Sequence, residues 1–506
     1  MSEQKTIQTD LFVIGGGING TGVALDATLR GLDVVLCEAE DLASATSSAS
    51  SKLVHGGLRY LEQYEFKLVK EALKEREVLL KKAPHLIQPL RFILPHAKHL
   101  RPVWMIKAGL FLYDFLAGKM SLDKSKKVAL KGTKEGQGLI DDFSVGFSYS
   151  DCRIDDARMV VANAKQAQEN GAKVLLPYRC IEAKKIDGLW RAKLINKENE
   201  TIIVEAKAIV NAAGPWVAQL IHEVLDTPSK SSVRLIKGSH IVVPKMYEGD
   251  HAYILQNKDG RIVFALPYGF VSKTENQFTL IGTTDVNYQG DPRDVHISDK
   301  EKHYLCDLIN GYFKQKISLQ DIIWEYAGVR PLYDDKAKKA SEITREYHLE
   351  LEDEHGKLPV LSIFGGKITT FRTLSKKVVD QLKPYFPEMR PCVTDTVPTL
   401  GGDMESLDQL LIALNRRYQW LDTKLAYRLA TAYGTKVFNI LEDAKSTADL
   451  GQCFGHYFYE AEAKYLINEE WCHSLESMIW RRSKLGLWLN PSQKQALEDW
   501  LKQQLN

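Results

Sequence analysis

The chain opens on a short apolar run, DLFVI at residues 10–14, which enters GGGINGTG and continues as VALDATLR before Gly31. A second apolar run, DVVLCE, occupies residues 33–38. Strand, glycine turn, helix and strand in this order predict a βαβ unit of a parallel sheet. Residues 67–82 (KLVKEALKEREVLLKK) set Leu68, Ala72, Leu73, Val78 and Leu79 close to helical spacing, which predicts a long helix. Another helical pattern at 155–170 ends in Gly171 and leads to the strand KVLLP, a second crossover. LWRAKLIN and TIIVEAKAIV alternate as antiparallel strands and run into NAAGPW. HIVVP, AYILQ, RIVFALP and FTLIGTTD repeat this β character over residues 233–286, predicting a mostly antiparallel sheet. After Pro391 the strand signals fade, and KLAYRLATAYG and AEAKYLINEEWCHSLESMIWRR predict a helical terminal domain. There is no internal repeat or low-complexity linker.

Composition narrows the class. The 506 residues are 44% hydrophobic and 26% charged, which is ordinary globular composition and excludes a disordered or fibrous chain. This length suggests two to four domains. With 67 Lys+Arg against 65 Asp+Glu the net charge is +2, which argues against a nucleic-acid partner, so any anionic ligand must be met locally. The seven cysteines are scattered without a CxxC pair or metal-ligand spacing, a pattern that fits reduced thiols and no metal site. The polar N-terminus lacks the apolar region of an export signal. Residues 103–116 are greasy, but Lys107 and Asp114 interrupt them and the stretch is too short to span a bilayer.

The candidate chemistry starts at Gly15, Gly17 and Gly20, a GxGxxG pattern with Gly16 beside it. Small residues let a diphosphate approach the backbone at a helix N-terminus, where N–H groups and partial positive charge meet it. Glu38 lies 18 residues beyond Gly20, at the end of the second strand, where an acid accepts hydrogen bonds from both ribose hydroxyls. FAD and NAD share this fingerprint. Two features favour FAD: NAAGPW, with Gly214 in an abrupt turn after a strand, and FGGKITTFR, where Gly365 and Gly366 precede a helix-like stretch. The latter can offer backbone N–H groups to the electron-rich edge of a reduced flavin.

DLFVIGGGINGTG, ATSSASSKLVHGGLRYLEQYEF, RLIKGSHIVVP, IGTTD, YAGVRPL and FGGKITTFR together resemble the FAD-dependent glycerol-3-phosphate dehydrogenases of bacterial respiration, in the D-amino-acid-oxidase-like flavoprotein superfamily. The resemblance spans almost the whole chain, and HGGLRYLE and GVRPL are far more specific than the glycine fingerprint. It implies FAD as cofactor, oxidation of sn-glycerol 3-phosphate to dihydroxyacetone phosphate by hydride transfer from C2 to flavin N5, and electrons passed to membrane quinone. It also implies that the loop SATSSASS lies along the cofactor, with Thr46, Ser47, Ser48 and Ser51 hydrogen-bonding it; composition alone would read this segment as a linker. Thr369 joins the cofactor set through FGGKITTFR.

A phosphorylated polyol needs fixed cations. Arg59, Arg330 and Lys367 stand beside glycines in HGGLRY, GVRP and GGKI; arginine grips phosphate bidentately, whereas lysine acts as a point charge. His55 is the candidate base, because an imidazole accepts protons near neutrality, while Arg330 or Lys367 can stabilise the alkoxide. Tyr60 and Arg345 are candidate ligand hydrogen-bonders.

From Lys98 to Lys127 there are seven Lys/Arg (98, 101, 107, 119, 124, 126, 127) against two Asp, interleaved with Trp104, Phe111, Phe115 and other apolar residues. Such a helix either lies at a lipid interface or packs in the core with solvated ends. A quinone acceptor is itself dissolved in lipid, so peripheral attachment at the cytoplasmic face of the plasma membrane is the expectation. The expected architecture is α/β: a Rossmann-like FAD-binding domain in three pieces (1–85, 151–225, 336–388), a membrane-facing insertion (86–150), an antiparallel-sheet substrate domain (226–335) and a helical C-terminal domain (389–506), in a possible homodimer. Rival readings are an amino-acid-oxidase-like enzyme and a non-catalytic FAD-binding scaffold.

Overall fold

The protein is described here by a computed structural model covering residues 5–96, 102–229, 231–257, 259–334 and 346–505. The apolar run at the start of the chain becomes the strand Lys5–Ile14, central in a sheet whose order is His348–Glu354, Lys357–Phe364, Thr201–Asn211, Lys5–Ile14, Val34–Cys37, Lys173–Leu175. The pairings along this order are parallel apart from the His348–Glu354 edge, and Leu189–Ile195 pairs antiparallel with the start of Thr201–Asn211. Alternate side chains of these strands point to opposite faces, and both faces are covered. Leu11, Val13, Leu36 and Val210 pack under the helices, while Phe12, Val35, Ile209 and Trp190 fill the other side. That second side is closed by the antiparallel strands Arg179–Ile186 and Leu189–Ile195.

The helix Ile18–Leu29 is buried from Gly20 through Thr28, because Asp156–Glu169 and Phe371–Gln381 flank it. Its Ala, Gly and Thr residues permit this close packing. Asp155 caps the helix Asp156–Glu169 by accepting from the Arg158 N–H at 3.1 Å.

A second sheet of ten strands runs Val286–Asn287, Val233–Pro244, Asn276–Gly282, Ile262–Phe270, Ala252–Gln256, Ile87–Pro95, Val145–Ile154, Leu53–Val54, with Trp324–Tyr333 and Lys126–Ala129 added alongside. Its pairings are antiparallel except Ala252–Gln256 against Ile87–Pro95. Strands from residues 53–154 thus complete the sheet predicted at 233–286. The C-terminal part packs the helices Leu407–Arg417, Thr423–Tyr433, Val437–Leu441, Glu460–Glu470 and Pro491–Leu505 around Leu414, Leu429, Tyr433 and Leu466. Buried ion pairs fasten it to the rest. Arg158 grips Glu470 bidentately, and Asp41 accepts from Arg481 and from both terminal nitrogens of Arg482, each at 2.8 Å for the latter. Removing one partner of such a pair costs about 3–5 kcal/mol, since the other charge is left buried.

The apolar helix Val103–Ala117 buries Leu110 and Tyr113 but leaves Trp104 67%, Phe111 73% and Phe115 72% exposed. At spacings of seven and four these three share one face. Among the described residues no helix is long and apolar enough to cross a membrane.

Candidate active site

The glycine turn is tied on three sides. Gly15 N–H donates to the Cys37 carbonyl at 2.9 Å, Gly16 N–H donates to Glu38 Oε2 at 2.7 Å, and Ile18 N–H donates to Ser47 Oγ at 2.9 Å. Gly17 caps the helix that follows. At Gly20 the approach is closest: a Cβ there would stand 1.9 Å from the Gly15 carbonyl oxygen, so no larger residue fits. Burial raises the Glu38 carboxyl above its ordinary range, the Glu40 and Gly16 N–H groups pull it back, and Asp41 and Glu40 push it up again.

The serine-rich loop is built into the structure. It contains a short helical turn, Thr46–Ser48, and Thr46 Oγ1 donates to the Val329 carbonyl at 2.6 Å. The Ser48 carbonyl accepts from Lys52 Nζ at 2.6 Å, and Lys52 is itself paired with Asp156. Ser51 Oγ lies 2.9 Å from His240 Nε2, whose ring stacks on Tyr326. Gly214 opens the turn Gly214–Trp216 after the strand Thr201–Asn211.

HGGLRY turns sharply because Gly57 adopts φ +76°, where a Cβ would strike the Tyr60 ring. The preceding Gly56 N–H is 3.0 Å from Tyr113 Oη and 3.3 Å from Asp151, and Asp151 is held in turn by Tyr113 and Arg76. Tyr113 belongs to the helix with the exposed aromatic face, so that helix and the His55 turn share one buried network. His55 N–H donates to Thr369 Oγ1 at 3.3 Å, and Lys367 Nζ sits 3.8 Å over the Tyr60 ring. Burial lowers the His55 pKa below the ordinary imidazole value; Asp151 opposes this and Lys367 adds to it. The imidazole is therefore neutral at neutral pH, as a base must be.

Arg330 pairs with Asp285 and donates to Thr283 Oγ1 at 2.8 Å. Its neighbour Pro331 lies against the next glycine turn: a Cβ on Gly365 would be 3.4 Å from the Pro331 carbonyl. The Gly365 carbonyl accepts from Asn19 Nδ2 at 3.0 Å, and Gly366 packs against the same asparagine. Residues 46–51, 55–60, 328–331 and 365–369 thus converge where the glycine turn of the first sheet meets the second sheet. Arg59 is half-buried, with no carboxylate within 4 Å among the described residues. Arg345 lies outside the described residues, as do Lys98 and Arg101. Asn19, His240, Thr283 and Asp285 carry no signal as isolated residues. KGSHIVVP and IGTTD contain the last three, and those motifs were the available clue.

Residues 10–372 match the family described as FAD dependent oxidoreductase, and residues 392–502 match the C-terminal domain of alpha-glycerophosphate oxidase. A glycerol-3-phosphate dehydrogenase of Pseudomonas aeruginosa is 52% identical over 97% of this chain and 94% of its own. The chain belongs to the glycerol-3-phosphate dehydrogenase family of FAD-dependent oxidoreductases. A D-erythritol 1-phosphate dehydrogenase of Brucella abortus is 46% identical over 99% of this chain and 98% of its own, so identity alone does not separate three-carbon from four-carbon substrates. The crystal structure of a glycerol-3-phosphate dehydrogenase from Bacillus halodurans complexed with FAD superposes with a TM-score of 0.75 at 27% identity, covering 100% of this chain and 91% of that one. The residues present suit that cofactor. Gly20 lets the helix close on the glycine turn, which brings the helix N-terminus to where a diphosphate would lie, and Glu38 supplies the ribose acceptor. The buried Asn19 Oδ1 and His240 Nδ1 have no hydrogen-bond partner among the described residues, and a polar ligand would satisfy them.

Proposed function

We propose that the enzyme oxidises sn-glycerol 3-phosphate to dihydroxyacetone phosphate and passes the electrons to membrane quinone. The convergence of Arg59, Arg330 and Lys367 on the turns beside the glycine fingerprint carries this reading. Arg59, with no carboxylate within 4 Å among the described residues, holds the phosphate with Arg345, and Tyr60 orients the ester while supporting the Lys367 ammonium through its ring face. Arg330, fixed by Asp285 and Thr283, and Lys367 stabilise negative charge developing on the C2 oxygen. His55 accepts the hydroxyl proton on an imidazole nitrogen, and the network of Asp151, Tyr113 and Arg76 holds its turn in place. The bound flavin, held by Gly15, Gly16, Gly17, Gly20, Glu38, Thr46, Ser47, Ser48, Ser51, Gly214, Gly365, Gly366 and Thr369, supplies the hydride acceptor at N5.

Anaerobic mixing of the yellow holoenzyme with sn-glycerol 3-phosphate is expected to bleach the flavin bands, and faster than D-erythritol 1-phosphate does at equal concentration. The reverse order would assign the site to the four-carbon ester. Bleaching by D-amino acids, or by neither ester, would remove the phosphate reading.

Attachment to the cytoplasmic face of the membrane is part of the same proposal, supported by the face of Trp104, Phe111 and Phe115 with exposed Lys107 and Lys119 beside it. Burying a large apolar side chain stabilises by roughly 1.5–3 kcal/mol, so three of them dominate binding to lipid. Changing all three to serine is expected to weaken sedimentation with anionic vesicles about a hundred-fold or more, with turnover on a water-soluble acceptor retained. Unchanged sedimentation would place lipid contact elsewhere.

A further inference from the structure

Between the second sheet and the C-terminal helices lies a cavity of about 250 Å³. None of the cofactor-turn residues, and none of His55, Arg59, Arg330 or Lys367, lines it. Its wall is mostly apolar but carries six cations, Lys52, Arg153, Lys424, Arg428, Arg482 and Lys484, with Asp155 as the one carboxylate among the lining residues. Three of these cations are neutralised from behind, Lys52 by Asp156, Arg428 by Glu462 and Arg482 by Asp41. Lys484 is 3.5 Å from Asp155, which also caps a helix. Arg153 and Lys424 have no carboxylate within 4 Å among the described residues. Four acids therefore answer six cations, and two positive charges are left over. His85 and His456, also on the wall, are held by burial at about 3 and about 4 and add no charge at neutral pH.

The donors are poised for a ligand. The Arg153 Cζ stands over the Phe270 ring, 3.3 Å from its centre, and among the described residues the guanidinium bonds only through Nη2, toward Gln88 and toward Tyr427 Oη at 3.1 Å. Its Nε and Nη1 have no acceptor among the described residues. Among the described residues Tyr268 Oη and Lys484 Nζ are buried without a hydrogen-bond partner, Lys484 keeping only its 3.5 Å ion pair with Asp155, and the Lys484 residue as a whole is only 8% exposed. Unsatisfied buried donors such as these two are rare in folded proteins, and Arg153 beside them is half-buried. What would satisfy this wall is an anion of about two charges with several acceptor oxygens. A phosphate monoester carries about −1.5 to −2 at neutral pH and three such oxygens. The volume, below the roughly 300 Å³ at the lower end for drug-sized ligands, limits the organic part to a few atoms.

We propose that this cavity is a second, non-catalytic site that binds a small phosphate monoester, its phosphate held by Arg153, Lys484 and the Tyr268 hydroxyl, with Lys424 at the rim. Arginine forks match phosphate oxygens bidentately, and the Lys484 ammonium adds a point charge.

The test is equilibrium binding of radiolabelled inorganic phosphate to the FAD-loaded enzyme, which requires no turnover. Wild type is expected to show a saturable site that Arg153→Gln weakens ten-fold or more and that Arg59→Gln, which removes the phosphate grip of the catalytic site, leaves intact. Tyr268→Phe removes a hydroxyl that bonds nothing among the described residues, so it keeps the fold and is expected to weaken the site several-fold. Unlabelled sn-glycerol 3-phosphate or D-erythritol 1-phosphate displaces the label, and their relative potency tells which ester the cavity prefers; succinate, a dianion without the tetrahedral head, does not. Phosphate binding unchanged in both Arg153→Gln and Tyr268→Phe, or lost in Arg59→Gln, would overturn the proposal. Displacement by succinate as readily as by the esters would overturn the choice of phosphate.

Discussion

Replacing Gly20 by alanine is expected to give a colourless protein. The added methyl would sit 1.9 Å from the Gly15 carbonyl oxygen and 3.1 Å from its carbon, where no side chain can yield because the opposing atoms are backbone. Either the helix Ile18–Leu29 retreats or the turn opens. Both movements pull the Gly16 and Ile18 N–H groups away from Glu38 and Ser47, the contacts that shape the diphosphate cradle. Losing several such contacts together weakens FAD by at least about a hundred-fold, on the scale of 1.4 kcal/mol per ten-fold. The measurement is flavin absorbance per chain after reconstitution with excess FAD. Gly109→Ala serves as the control, since the same methyl there meets nothing within 4 Å, and it should remain fully yellow. A stoichiometrically yellow Gly20→Ala protein would show that the diphosphate is not held at this turn.

The second large effect concerns proton transfer. His55→Gln is expected to lower turnover about 10²–10⁴-fold while FAD stays bound, because the glutamine fills similar space but cannot take a proton. The backbone N–H of His55 still reaches Thr369 Oγ1, and Gly56 still bonds the Tyr113–Asp151 pair, so the turn itself survives. The pH dependence has a definite sign. Burial, with the Lys367 charge, stabilises the neutral imidazole, so the wild-type acid limb lies below the ordinary value of about 6.5 and activity is flat from there upward. That limb disappears in the variant. Near-normal turnover of His55→Gln across pH 6 to 9 would remove His55 from the mechanism. Attention would then pass to His240, whose imidazole is held neutral by burial and by the Arg330 and Lys52 charges.

Much of the cofactor half was legible because its signals are local. A glycine at position 20 is demanded by a contact five residues away, and Glu38 follows from the length of one βαβ unit. The antiparallel strands at 189–211 and 233–282 were equally plain, since alternation is written along each strand. The linker reading of residues 44–51 does not fit the structure. Thr46, Ser47 and Ser51 each bond a partner distant in sequence, and serine-rich composition is silent about long-range acceptors.

The chain by itself determined the βαβ start, the glycine and acid pattern that selects a dinucleotide, the motifs carrying the cations, and the helical end. Each depends on neighbours within a turn, a strand or a single crossover. Only the tertiary structure decided that residues 87–95 and 145–154 join the second sheet, and that the Val103–Ala117 helix shows its aromatic face outward. It alone matched Asp285 to Arg330 and Asp41 to Arg482, and set Arg153 over Phe270 with no carboxylate within 4 Å among the described residues. Whether a charge is answered or orphaned depends on which segments fold against it, and in a low-dielectric interior that difference sets where an anion binds.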